Sequence, residues 1–230
     1  MKSTFSARRQ RVRTRPQTRG FASAIAIVFT LFVASFLRAD DEPPQQVPAA
    51  SQAKISAAGI GNFGQVDARL FRGAQPELSA FAGLKALGFT TIVRLNGEGA
   101  DVGAEKKQVE TLGMHFVNLP WSGAGRPTHE QVVTFLALLH DDPSAKVFVH
   151  CLHGADRTGV MVALYRLEFS HWTVVQAMAE MKQFHYHHFF LPHLQTYVES
   201  FPSSLKNDAE LAKLQAPVVA VAPAVAAIVP

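Results

Sequence analysis

From residue 69 to about residue 201 the chain alternates short apolar runs with longer stretches of helical spacing, and this alternation constrains the fold more than any other feature. The short runs are predicted strands: Arg69 to Arg72, the β-branched run Thr90 to Leu95, His115 to Leu119, and Lys146 to His150. Glu77 to Leu87 carries apolar residues at helical spacing and stops at Gly88, a residue suited to a helix C-cap. Ala104 to Leu112 reads as a helix stopped by Gly113, and Thr128 to about His140 as a helix with Thr128 at its N-cap. Thr158 to Ser170 is a strongly apolar helix, and two more helices are predicted near Val174 to Gln183 and Phe189 to Phe201. Such alternation implies a single α/β domain, a mostly parallel central sheet flanked by helices. Ligands of such sheets bind at the carboxyl ends of strands, where the strand ending at His150 delivers Cys151.

The ends of the chain have a different character. Lys2 and six arginines, from Arg8 to Arg19, all precede the first acidic residue, Asp40. The formal net charge is +4, but without that leader fifteen basic residues face eighteen acidic ones, a net of −3 from Gly20 onward. The body is mildly acidic, which argues against a nucleic-acid partner. A basic leader, the apolar run Phe21 to Leu37, and a polar start at Asp40 are the marks of an export signal. Residues 1–39 are therefore expected to be an export signal or signal anchor, with membrane anchoring through 21–37 if it is not cut. The rest is expected in the periplasm or at the outer face of the inner membrane. Residues 40–56 read as a linker, 57–206 as the folded domain and 207–230 as a disordered tail, almost pure Ala, Val and Pro after Gln215. A monomer is expected.

Cys151 is the only cysteine, which excludes an intrachain disulfide and a cysteine-based zinc site. Its surroundings carry the chemistry: His150-Cys151-Leu152-His153-Gly154-Ala155-Asp156-Arg157-Thr158-Gly159, set between a strand and a helix. A loop entering a helix N-terminus turns several backbone N–H groups inward and makes an anion nest. Leu152, His153, Gly154, Ala155 and Asp156 would line that nest. The same donors favour a thiolate at Cys151. Arg157 can grip two phosphate oxygens with its planar fork. Gly154 permits a tight turn, and Thr158 can donate its hydroxyl to the sulfur and make it a better leaving group.

Cys-x5-Arg-Thr preceded by His resembles the signature of cysteine-dependent protein tyrosine and dual-specificity phosphatases, and Phe71 to about Tyr197 is similar to a bacterial exported branch of the dual-specificity type. Phe71-Arg72-Gly73-Ala74-Gln75-Pro76 and Thr91-Ile92-Val93-Arg94-Leu95 resemble that branch's opening motif and second strand. The resemblance implies a two-step displacement without cofactor or metal. Cys151 attacks phosphorus, Arg157 and the loop amides stabilise the equatorial oxygens, and a general acid protonates the leaving group. In the family that acid is usually an Asp in the loop after the strand preceding the Cys strand. Here that loop, Pro120 to Pro127, has no carboxylate. The candidates are Glu130, Glu98 and Asp101, each of which taken singly reads better as a solvated surface carboxylate.

Several features keep alternatives open. His185, His187, His188 and His193 cluster near Tyr186, Phe189 and Phe190, and read better as a packed C-terminal element than as a metal site. His150 is expected to bond backbone and hold the loop, and Asp156 to bond local backbone. Trp121 reads equally as a substrate-stacking ring or a core anchor. Asp156 in the loop would repel a polyanion, which ranks phosphotyrosine proteins above an inositol phosphate or other small phosphate ester. The third reading is a catalytically weak phosphate-binding module.

Overall fold

The computed structural model describes residues 59–97, 99 and 101–215. The export signal or anchor at 1–39, the linker at 40–56, the last part of the tail and Glu98 lie outside the described residues.

Five strands form one sheet in the order β1-β2-β5-β3-β4. β2 (Leu70–Ala74), β5 (Val147–Cys151), β3 (Thr91–Arg94) and β4 (His115–Asn118) run parallel, and only the two-residue β1 (Gly64–Gln65) is antiparallel. β5 sits in the middle with every residue buried, as a strand covered on both faces must. Period-two alternation then divides its side chains. Val147, Val149 and Cys151 join one core cluster, with residues of α3 (His129–Asp141), α4 (Asp156–Phe169), α5 (Val174–Gln183) and α6 (Pro192–Asn207). Phe148 joins the other, with Phe81 of α1 (Ala80–Ala86) and Val109 of α2 (Val102–Thr111). The result is a three-layer α/β fold.

Local signals explain the boundaries. Gly88 and Gly113 end their helices with φ of +85° and +69°, in the left-handed region where a Cβ is costly. Thr128 caps α3 in a full capping box with Gln131, and Thr173 caps α5 in another with Gln176. The helix predicted from Glu77 begins only at Ala80, and the one predicted from Phe189 begins at Pro192, where a proline's missing N–H costs nothing.

The predicted boundary at 206/207 needs correction. A further helix, α7 (Ala209–Lys213), follows α6 directly. Asp208 caps it through Oδ1, which accepts from the N–H groups of Glu210 and Leu211, and Asp208 also meets His129 Nε2 at 2.6 Å. Leu211 and Leu214 are buried in the larger cluster, so the domain reaches Leu214 because two leucines gain more by burial than as tail. Among the described residues no helix is long and apolar enough to cross a membrane.

Candidate active site

The carboxyl ends of the three central strands meet at one edge of the sheet. Cys151 pairs in register with Ala74 at the end of β2, and His150 with Arg94 at the end of β3. Cys151 is free, 2% exposed, and turned toward α4 by the alternation of β5.

The loop between β5 and α4 turns at Gly154, whose φ is +68°. A Cβ there would lie 2.4 Å from the carbonyl carbon of Gly73 and 2.6 Å from the amide nitrogen of Ala74, so the loop is seated on the end of β2 with no room for a side chain. Gly154→Ala should therefore cost stability on the order of 2–4 kcal/mol, read as a lowered Tm, and displace the loop from any phosphate it holds. Wild-type melting and wild-type phosphate affinity in that variant would contradict this seating.

The start of α4 differs from the starts of α3 and α5. Its N-cap residue is Ala155, which has no side-chain oxygen to offer, and the first helical bond runs from Gly159 N–H to Ala155 O at 2.8 Å. The first-turn amides thus lack the capping oxygen that Thr128 and Thr173 supply elsewhere, and they suit an anion. Arg157 is fixed beside them: its Nη1 donates to the carbonyl of Trp121 at 3.2 Å and of Leu95 at 3.4 Å. Thr158 is fully buried, and its hydroxyl has no hydrogen-bond partner. Leu152 and His153 stand exposed at the rim, while Gly154 and Ala155 are buried.

Two buried charged groups missed in the sequence support this loop. Arg72, fully buried behind it, donates from Nη2 to Gly154 O at 2.9 Å and stacks on Phe184 with 3.9 Å to the ring centroid. Burial pulls its guanidinium down to about 10, against the opposing attraction of Glu180 and of Cys151. A positive charge is thus held within Coulombic reach of the sulfur. Glu105, 1% exposed, accepts from His150 Nε2 at 2.7 Å and from Arg94 Nε at 3.2 Å. His150 therefore bonds a buried carboxylate, where a backbone partner was expected, because alternation turns it toward α2. Its Nδ1 is buried without a partner. The signal for Glu105 was present: Val102, Glu105, Val109 and Leu112 share a helical stripe, and a charge on an apolar stripe asks for a buried partner.

The acid candidates fare differently. Asp101 meets Arg94 Nη2 at 3.2 Å and accepts from Gln75 Nε2 at 2.6 Å. The Gln75 bond chiefly holds its carboxyl below the usual aspartate range against the opposing effect of burial, with a lesser contribution from the charge of Arg94. Asp101 is therefore an exposed carboxylate at the rim of the cleft, tied to Gln75 and to the buried Arg94. Glu130 lies exposed in the first turn of α3. Asp156 accepts from the backbone N–H of His187 at 2.9 Å and meets that residue's ring Nδ1 at 3.0 Å, a distant partner where local backbone was expected. Trp121 is 5% exposed within the larger core and is an anchor. Phe189 and Phe190, expected in a packed element, are 84% and 81% exposed. No group of three or more metal-ligating side chains is placed together among the described residues.

Beside the loop lies a cleft of about 370 Å³. Pro76, Leu78 and Leu152 give it apolar walls, and Glu77 and Asp101 give it acidic ones.

Residues 50–197 match the family described as PTP-NADK, DSP-PTPase phosphatase fused to NAD+ kinase. Protein tyrosine phosphatase type IVA 2 of Mus musculus is 35% identical over 89 residues, 37% of this chain and 51% of that protein. The mRNA-capping enzyme of Danio rerio is 31% identical over 84 residues, 34% of this chain and 14% of that protein. The chain thus spans about half or less of the length of these curated relatives. The crystal structure of TpbA from P. aeruginosa has the same fold, with a TM-score of 0.52 and 24% identity over 68% of this chain and 89% of that one. The catalytic core of the PP-IP phosphatase SIW14 of S. cerevisiae also shares it, with a TM-score of 0.53 and 20% identity over 64% and 92%.

Proposed function

The chain belongs to the DSP-PTPase phosphatase family described as fused to NAD+ kinase, and on that footing we propose that it hydrolyses phosphate monoesters, chiefly phosphotyrosine in proteins, through a phosphocysteine at Cys151. The observation that carries this reading is the seat of the sulfur: a buried thiol between the cationic Arg72 and an uncapped helix start, closed by an Arg157 already fixed by two carbonyls. The sulfur attacks phosphorus in line while the loop amides of 152–156 and the Arg157 fork hold the three equatorial oxygens. Prior fixing of Arg157 removes reorganisation from that step. In the second step water displaces the sulfur, and the unpartnered hydroxyl of Thr158 is the donor for the departing thiolate.

The cleft supports the choice of substrate. Leu78, Leu152 and Pro76 suit an aromatic ring, while Glu77 and Asp101 repel a polyanion. We expect kcat/KM on a phosphotyrosine peptide to exceed that on a phosphoserine peptide and on inositol hexakisphosphate by about tenfold or more. Faster turnover of the inositol polyphosphate would reassign the substrate. Phosphate binding without turnover of any ester would reduce the chain to a phosphate-binding module.

The basic leader and the apolar run 21–37 support a bacterial protein whose domain works outside the cytoplasm, in the periplasm or at the outer face of the inner membrane. Its partners there would be phosphorylated proteins, with the domain acting as a monomer.

A further inference from the structure

A phosphatase that expels an alkoxide or phenolate gains most from a proton donor at the leaving oxygen, and the usual position for one is empty of carboxylates here. Among the described residues, Asp101 has its carboxylate engaged by Gln75 and Arg94, and Glu105 is buried between His150 and Arg94. Glu130 is exposed, with no partner to orient it. One titratable pair remains in direct contact with the phosphate loop.

That pair is Asp156 and His187. Asp156 immediately precedes Arg157 in the loop, and its carboxylate takes two bonds from His187, one from the backbone N–H at 2.9 Å and one from ring Nδ1 at 3.0 Å. The second bond fixes the tautomer and points the ring, and it leaves Nε2 without a partner on a side chain 51% exposed. A carboxylate orienting an imidazole whose far nitrogen faces solvent is the arrangement that acid–base catalysis by histidine requires. The segment bearing His187 is also tied to the loop a second time. Asn62, at a positive φ of 50°, donates from Nδ2 to His153 O at 3.2 Å and to Phe184 O at 3.1 Å. Holding the strained Asn62 for that bridge is consistent with a segment whose position matters.

We propose, resting on the phosphatase reading above, that His187 is the proton donor and acceptor of this site and that Asp156 is its positioning residue. In the first step the Cys151 sulfur forms the P–S bond as the P–O bond to the leaving group breaks, and the proton on His187 Nε2 passes to that oxygen. In the second, a water proton passes to the now neutral Nε2 as the water oxygen bonds phosphorus, the P–S bond breaks, and the sulfur leaves as thiolate. The protein returns to its starting protonation, with one ester and one water consumed.

The test compares phenyl phosphate, a demanding leaving group, with p-nitrophenyl phosphate, which needs little protonation, in the full chain. His187→Gln should lower kcat on phenyl phosphate by on the order of 10²-fold and raise the p-nitrophenyl to phenyl rate ratio by at least about tenfold. It keeps the backbone bond to Asp156, so its Tm and vanadate affinity should stay near wild type. Asp156→Asn should move the ratio in the same direction by a smaller factor. A parallel loss on both esters in the two variants, or no loss, would overturn the assignment. A wild-type chain that hydrolyses neither ester would instead bring down the phosphatase reading itself.

Discussion

Cys151→Ser should abolish hydrolysis of every phosphate ester, with a loss of on the order of 10⁴-fold or more in kcat, while the protein still folds and binds vanadate or phosphate. The separation of chemistry from binding follows from the site's construction. In the proposed site the anion would be held by amides of the loop, by Arg157 and by the uncapped start of α4, none of which uses the sulfur. Serine fits where the thiol sat, but a hydroxyl within Coulombic reach of Arg72 is not ionised near neutral pH as a thiol can be. Steady-state kinetics together with isothermal titration of vanadate would read both halves. Loss of binding along with turnover would mean that the sulfur is part of the anion seat.

Arg157→Lys should cost on the order of 10²–10³-fold in kcat/KM although the charge is kept. The guanidinium already spends donors on the carbonyls of Leu95 and Trp121 and still has others in a planar fork to offer the phosphate. An ammonium group cannot reach two carbonyls and two phosphate oxygens with three donors. The double anchor predicts a second effect. Because the anchors lie after β3 and β4, the lysine variant should also free the 120–127 segment, which hydrogen exchange would show as reduced protection. A lysine enzyme within about threefold of wild type would mean that charge alone holds the phosphate.

The strand–loop–helix core of this site was open to sequence reading because each part leaves a local mark. The apolar run of β5, the glycine at 154 and the apolar helix behind it need no distant residue to be recognised. Gly88, Gly113 and the Thr128 cap were legible for the same reason, since each acts on its own turn. β1 was not, because two residues carry no period and Gly64–Gln65 exists only through its register with Arg72 and Phe71. Arg72, Arg94 and Glu105 look like surface charges in a linear string, and their roles appear only when alternation turns them toward one another. Asp156 shows the same limit more sharply. Its partner is 31 residues away, so a reading confined to neighbours assigned it to local backbone. Phe189 and Phe190 read as part of a packed C-terminal element from their aromatic context, whereas the fold spends that segment on contact with the loop after β5 through His187 and leaves both rings in solvent.

The central claim is that Cys151 itself carries the phosphoryl group, and acid quenching of the wild-type chain during turnover of p-nitrophenyl phosphate tests it most directly. Peptide mass spectrometry should find a phosphoryl adduct on Cys151, absent from Cys151→Ser and lost when the quenched protein is renatured in substrate-free buffer. Turnover at the wild-type rate with no adduct on Cys151, or with the adduct on another residue, would contradict the account.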